Sequence, residues 1–271
     1  MFNRRSSAIS RCSDDFQPEN REWFAKNVLQ CAYNGILQGQ YYVNDWDMFW
    51  TDDEQAKKNS LCRAISGGPI YVSDRLGKTD PEILLPLALK DGRILRPDES
   101  ATPTADCLIG NPTETGRIFK IRNRIGESGV LAVYNIDAEN RAVSGTVAAT
   151  DTGVSEGSYA YYEYFSGEAG ILKAGERLEV SLEDNDSFKL YTFVPYVSGS
   201  PAVFGRLDKF MGVKAVTDKT ARGFSLMEGG RIGIVSEEPI ALEHDGGKLT
   251  VERRGVLTVA DTGEATRLYF A

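Results

Sequence analysis

The 271-residue chain contains one histidine, His244, and four widely spaced cysteines, Cys12, Cys31, Cys62 and Cys107, with no Cys-x-x-Cys pair among them. One imidazole cannot complete a Cys/His metal site, and four scattered thiols make no disulfide framework, so neither structural zinc nor a stapled scaffold is expected. A Ser-His-Asp hydrolase is not expected either, because His244 sits in the turn-like stretch EHDGGK. No run approaches roughly 18 consecutive apolar residues, and the opening MFNRRSSAISRCSDDF is basic without an apolar segment behind it. Neither a membrane span nor a secretory leader is predicted, and the cytoplasm is the expected address. Concentrated basic charge is also lacking: Lys+Arg 31 against Asp+Glu 39 gives a net charge of -8, which argues against nucleic acid or an anionic membrane surface as partner. No metal or cofactor is expected. What remains is ordinary globular usage, 41% hydrophobic and 26% charged, enough to bury one large core or two smaller ones.

The chain changes character near its middle. Residues 20–39 place Phe24, Val28, Cys31, Ala32 and Ile36 near helical spacing, with Gly39 closing the segment. An aromatic run, YYVNDWDMFW, follows, then a second helical stretch, DDEQAKKNSLCRAI, stopped by Ser66, Gly67 and Gly68, then the short apolar run PIYVSD. Asp80 and Pro81 are placed to cap and open a third helix whose buried stripe is Ile83, Leu84 and Leu87. Strand and helix in alternation predict a parallel α/β layer, in which functional residues gather at the C-terminal ends of strands. Beyond Thr104 the pattern turns to short β runs broken by Gly, Asn and Asp, among them RIFKIRN, GVLAVYNI, SYAYYEYF, SFKLYTFVPYV and RLYFA. Their spacing predicts an antiparallel β-sandwich, with a domain boundary near Pro103.

Three segments offer chemistry. In Arg11-Cys12-Ser13-Asp14-Asp15 two adjacent carboxylates suit a general acid, though a solvated helix entry with Ser and Asp capping is the plainer reading of this stretch alone. In Asn44-Asp45-Trp46-Asp47-Met48-Phe49-Trp50 carboxylates alternate with rings. That composition suits a sugar, since carboxylates accept from vicinal hydroxyls while an indole covers the C–H face. The plainer alternative there is a strand end with core aromatics and solvent-facing aspartates. In Ser66-Gly67-Gly68-Pro69-Ile70-Tyr71-Val72-Ser73-Asp74 the glycines either admit a ligand or simply end the preceding helix, and Asp74 follows a short strand.

Taken in order, SAISRCSDDFQPEN, LQCAYNGILQGQYYVNDWDMFW, LCRAISGGPIYVSDRLGKTDPEIL and DGRILRPDESATPTADCLIGNP resemble the C-terminal part of glycoside hydrolase family 36 over roughly residues 6 to 135. That group holds α-galactosidases and the raffinose synthase and seed imbibition proteins. Family 27 α-galactosidases show an Asn-Asp-x-Asp-Met segment similar to residues 44–48.

The resemblance implies the C-terminal portion of a (β/α)₈ barrel, about strands six to eight, over residues 1–103, and an antiparallel β-sandwich over 104–271. It implies a retaining mechanism in which one carboxylate attacks the anomeric carbon and a second serves as acid and then base. The family's Arg-x-x-x-Asp pattern falls on Arg11 and Asp15, with Asp14 as an adjacent alternative for the acid/base. Its sugar-binding segments fall on Asp45, Trp46, Asp47 and Trp50, and on Gly67, Gly68 and Asp74. The family's nucleophile belongs to a Lys-x-Asp motif upstream of the acid/base. The Lys-x-Asp present here, Lys78-Thr79-Asp80, opens a helix after the last barrel strand and does not match it. The expected protein is therefore the C-terminal portion of an enzyme acting on α-galactosides or raffinose-type oligosaccharides, inactive alone, with the missing barrel half conceivable as a separate chain. A non-catalytic carbohydrate-binding or interaction protein is the alternative. The 104–271 unit is expected to resist proteolysis longer than residues 1–103.

Overall fold

The computed structural model describes residues 8–271, so the basic opening of the chain and the first two residues of the matched span fall outside it. Strands β1 (Ile9–Arg11) and β2 (Val43–Asp45) lie parallel, with Ile9 opposite Val43 and Arg11 opposite Asp45. Parallel neighbours need a crossover, and α1 (Trp23–Gln38) provides it, burying Phe24, Val28, Cys31 and Ala32 on one face. Ile36, at the end of that stripe, stays 41% exposed. Helix α2 (Ala56–Ser66) is buried along almost its whole length, Lys58, Asn59 and Arg63 included. Gly67 ends it in the left-handed region at φ +77°. The following extended run joins the parallel layer through a single bridge, Phe49 to Val72. Helix α3 (Pro81–Leu84) opens as the sequence predicts, the Asp80 carboxylate accepting from the Glu82 amide. It is only four residues long, because Pro86 blocks its continuation, and Leu87 is buried beyond it.

From Thr102 the chain is antiparallel. Strands β3 (Thr102–Pro103), β4 (Phe119–Ile125), β5 (Ser128–Tyr134), β6 (Val143–Val147), β7 (Tyr159–Glu163), β8 (Ala169–Leu172), β9 (Leu178–Leu182) and β10 (Phe188–Pro195) follow. Six of them form one sheet in the order β3-β4-β5-β10-β7-β8. Every residue of β5 is buried, as expected of a strand covered on both faces. One face carries Phe119, Ile121, Ala132, Tyr134 and Leu190 into a common core with Phe24, Val28, Trp46, Phe49, Leu61 and Ile65. The other face carries Leu131, Val133, Tyr191 and Phe193 under the β6–β9 pair. Residues 202–271 add a four-stranded and a five-stranded antiparallel sheet. The change of character seen in the sequence thus coincides with the start of the large sheet, yet the apolar core runs straight across it. Among the described residues no helix is long and apolar enough to cross a membrane.

Candidate functional site

Because β1 and β2 are parallel and in register, Arg11 and Asp45 emerge side by side at the same strand ends. The chain after each strand then turns inward to meet the other. Asp47 is the meeting point: its carboxylate, 5% exposed, takes the Phe16 amide on Oδ2 at 2.6 Å and the Met48 amide on Oδ1 at 2.9 Å. Arg11 Nη1 lies 3.0 Å from Asp47 Oδ1 while Nη2 pairs with Asp15. The Asp15 side chain is 86% exposed, so the one carboxylate of this group that solvent or a ligand reaches freely is the one beside Arg11. That ion pair is the main cause of a raised Arg11 pKa. Asp47 itself holds φ +65°, a conformation an aspartate tolerates but does not favour.

Two further residues, neither singled out from the sequence, hold this turn. Arg63, completely buried, donates to the Asp47 carbonyl at 3.3 Å and the Met48 carbonyl at 3.1 Å. Its Nη1 donates to Asn59 Oδ1 at 2.9 Å and Nη2, which also serves Met48, to Asn27 Oδ1 at 3.2 Å, and the guanidinium stands over the Phe16 and Phe49 rings. A planar fork with five donors meets that set of acceptors as no lysine would. Tyr71 closes the group from the third segment, its hydroxyl donating to Asp45 Oδ2 at 3.0 Å and lying 3.4 Å from Asp47 Oδ1. Burial, then the Asp45 carboxylate, push the Tyr71 pKa up, which keeps the hydroxyl a donor.

The other candidates stand apart from this cluster. Asp14 points the opposite way from Asp15, exchanging two hydrogen bonds with Gln30 on α1 through its amide and its carboxylate, at 2.9 and 3.0 Å. Trp46 is fully buried in the core. Trp50 remains partly open, its indole N–H on Ser73 Oγ at 3.0 Å and the Arg75 guanidinium 4.7 Å from its ring centre. Asp74 spends its carboxylate on Thr51, accepting from the amide at 2.6 Å and the hydroxyl at 2.8 Å. Gly67 and Gly68 serve close packing: a Cβ on Gly67 would run into the Glu99 carbonyl oxygen, and one on Gly68 into that of Asn44. The three segments therefore meet through Arg11, Asp15, Asp45, Asp47 and Tyr71, with three carboxylates against one guanidinium. Such a cluster places one exposed carboxylate, Asp15, beside a guanidinium, an arrangement that suits proton transfer, with Asp45 next to it as a candidate acceptor.

A family model for raffinose synthase or seed imbibition protein Sip1 matches residues 1–219, and the chain belongs to that family. It is 32% identical over 221 residues to the probable galactinol–sucrose galactosyltransferase 6 of Arabidopsis thaliana, a match covering 72% of this chain and 29% of that protein. It is 40% identical over 144 residues to the galactinol–sucrose galactosyltransferase of Oryza sativa subsp. japonica, covering 50% and 18%. The chain spans less than a third of the length of these curated relatives. Among solved structures, a GH27 β-L-arabinopyranosidase from Geobacillus stearothermophilus superimposes with a TM-score of 0.51 at 16% identity, over 70% of this chain and 45% of that one, a likeness of fold.

Proposed function

We propose that the chain carries the acid/base and sugar-recognition segments of a retaining enzyme that transfers or hydrolyses terminal α-galactosyl units, with raffinose-type oligosaccharides as substrates. The observation that carries this reading is the Arg11–Asp15 pair joined through Asp47 to Asp45 and Tyr71 at the ends of two parallel strands. The relatives' names, galactinol–sucrose galactosyltransferases, support the substrate class. On this reading β1-α1-β2 and the run through Val72 are the end of a (β/α)₈ barrel, and residues 104–271 are its accompanying β-sandwich.

In the mechanism, Asp15 gives its proton to the glycosidic oxygen as the donor's anomeric bond breaks. It then takes the proton of the acceptor hydroxyl, water or sugar, that attacks the covalent intermediate. Arg11 orients Asp15, and Asp45 accepts from the galactosyl hydroxyls. Asp45 and Asp47 are poor nucleophiles, their oxygens being engaged by Tyr71, Phe16 and Met48. The nucleophile accordingly belongs to a part of the enzyme other than these residues. The relatives hold their remaining length in the same polypeptide, which favours one continuous chain over a separate partner; the cytoplasm is its proposed location.

The test is a chimera in which residues 8–219 replace the matching segment of the Arabidopsis relative. Galactosyl transfer should survive the exchange, survive Asp14→Asn and be lost with Asp15→Asn. An isolated chain that hydrolyses an aryl α-galactoside, or an active chimera indifferent to Asp15→Asn, would overturn the assignment. Galactoside binding without turnover in the chimera would favour a carbohydrate-binding module instead.

A further inference from the structure

Lys58 sits on α2, 3% exposed, with no carboxylate in ion-pair range among the described residues. Its ammonium donates to the Asn185 carbonyl at 2.6 Å and lies 4.2 Å from the centre of the Phe24 ring. An ammonium has three protons to donate, so the carbonyl leaves two unspent. Lys58 and Arg21 line two cavities, of about 580 and 490 Å³.

The two cavities differ in charge. Asp52, Asp53, Glu54, Asp80 and Asp186 line the larger and repel an anion. The smaller sets Lys26 and Lys58 against Glu22, since Arg21 is committed to Glu54 and Asp186 and Asp137 is already paired with Arg141 at 2.9 Å. Phe24, Leu29 and Ile136 supply an apolar wall. A cation kept from water without a counter-charge is costly, and an anion brought to it recovers that cost.

We propose that the 490 Å³ cavity between α1, α2 and the 184–187 turn binds a small molecule with a terminal oxyanion, phosphate or carboxylate, seated on Lys58 with Lys26 at the rim. Burial holds the Lys58 pKa down to about 8, which still leaves the amine charged at neutral pH. The ligand would clasp the two helices to the turn before β10, far in sequence from either. This site is independent of the galactosyl chemistry at Asp15, so failure of that chemistry leaves it standing.

The test titrates the full chain with inorganic phosphate and, separately, with acetate at constant ionic strength, read by calorimetry and by thermal unfolding. Saturable binding of one equivalent with a rise in Tm is expected, weakened at least tenfold by Lys58→Met and unaffected by Lys248→Met, on a remote hairpin. Binding of phosphate alone assigns a phosphate ester; binding of acetate as well assigns a carboxylate. No saturable binding of either, or equal binding by Lys58→Met, which is the mark of an adventitious ion only, overturns the proposal. Should Lys58→Met fail to fold, Lys26→Ala at the exposed rim is expected to weaken phosphate a few-fold, and unchanged affinity there overturns it equally.

Discussion

Replacing Lys58 by Met separates the cost of its buried charge from everything else the side chain does, because only that cost depends on pH. Desolvation takes the Lys58 pKa from 10.5 down to about 8, against a smaller opposing pull from Asp186. Between those values the unfolded chain binds more protons than the folded one. The Lys58 contribution to stability therefore rises with pH across that window, by about 3 kcal/mol in all. Below pH 8 both states hold the proton and the fold bears the full penalty. Met keeps the apolar stem and removes the charge along with the bond to the Asn185 carbonyl, a pH-independent loss of about 1 kcal/mol. Urea unfolding of parent and Lys58→Met in phosphate-free buffer, followed by tryptophan fluorescence, measures the difference at each pH. From pH 7 to pH 10 that difference should move in favour of the parent by roughly 2 to 3 kcal/mol. A flat difference would mean that water reaches the ammonium. Movement in the opposite direction would mean that a carboxylate holds it.

Arg63→Met leaves two carbonyls and two asparagine oxygens without their donor, and should cost about 3 to 5 kcal/mol in urea unfolding; a loss below about 1 kcal/mol would show that the Asp47 turn stands without it. Gly68→Ala forces a methyl into the Asn44 carbonyl and should lower Tm by several degrees, whereas an unchanged Tm would remove the packing role argued for that glycine. Because Phe119, Ile121 and Tyr134 share a core with Phe24, Trp46 and Leu61, residues on either side of Thr102 should unfold in one transition. Tryptophan fluorescence, which reports residues 23–50, and far-ultraviolet dichroism, dominated by the sheets, should then give one midpoint; two midpoints would restore the separable units that the sequence pattern predicts.

Local signals carried much of the fold. Helical spacing found α1 and α2, the Asp80-Pro81 pair found the start of α3, and alternating runs found β4, β5, β7 and β10. Strands such as Ala202–Arg206 and Gly223–Leu226 escaped, being short, glycine-bearing and without alternation to distinguish them. At the site, the three segments were legible but the roles within them less so. Trp46 and Trp50 are alike in sequence, yet one lies in the core and the other at the rim, its indole on Ser73 and under Arg75. Asp14 and Asp15 are adjacent, and what sets them apart in the structure is Gln30, in the middle of α1, which binds Asp14. Arg63 and Lys58 were not singled out, since nothing nearby in the chain announces that α2 is buried along almost its whole length.

The amide of Phe16 hangs on Asp47, two residues from Asp45 and one residue after Asp15. On the proposed function, a sugar that drew the 45–48 loop toward itself would tug, through one proton, on the backbone next to Asp15. Sugar binding at that loop and the positioning of Asp15 would then be linked through this one hydrogen bond. The exchange rate of that one amide with deuterated solvent is a direct gauge of how tightly the two are geared.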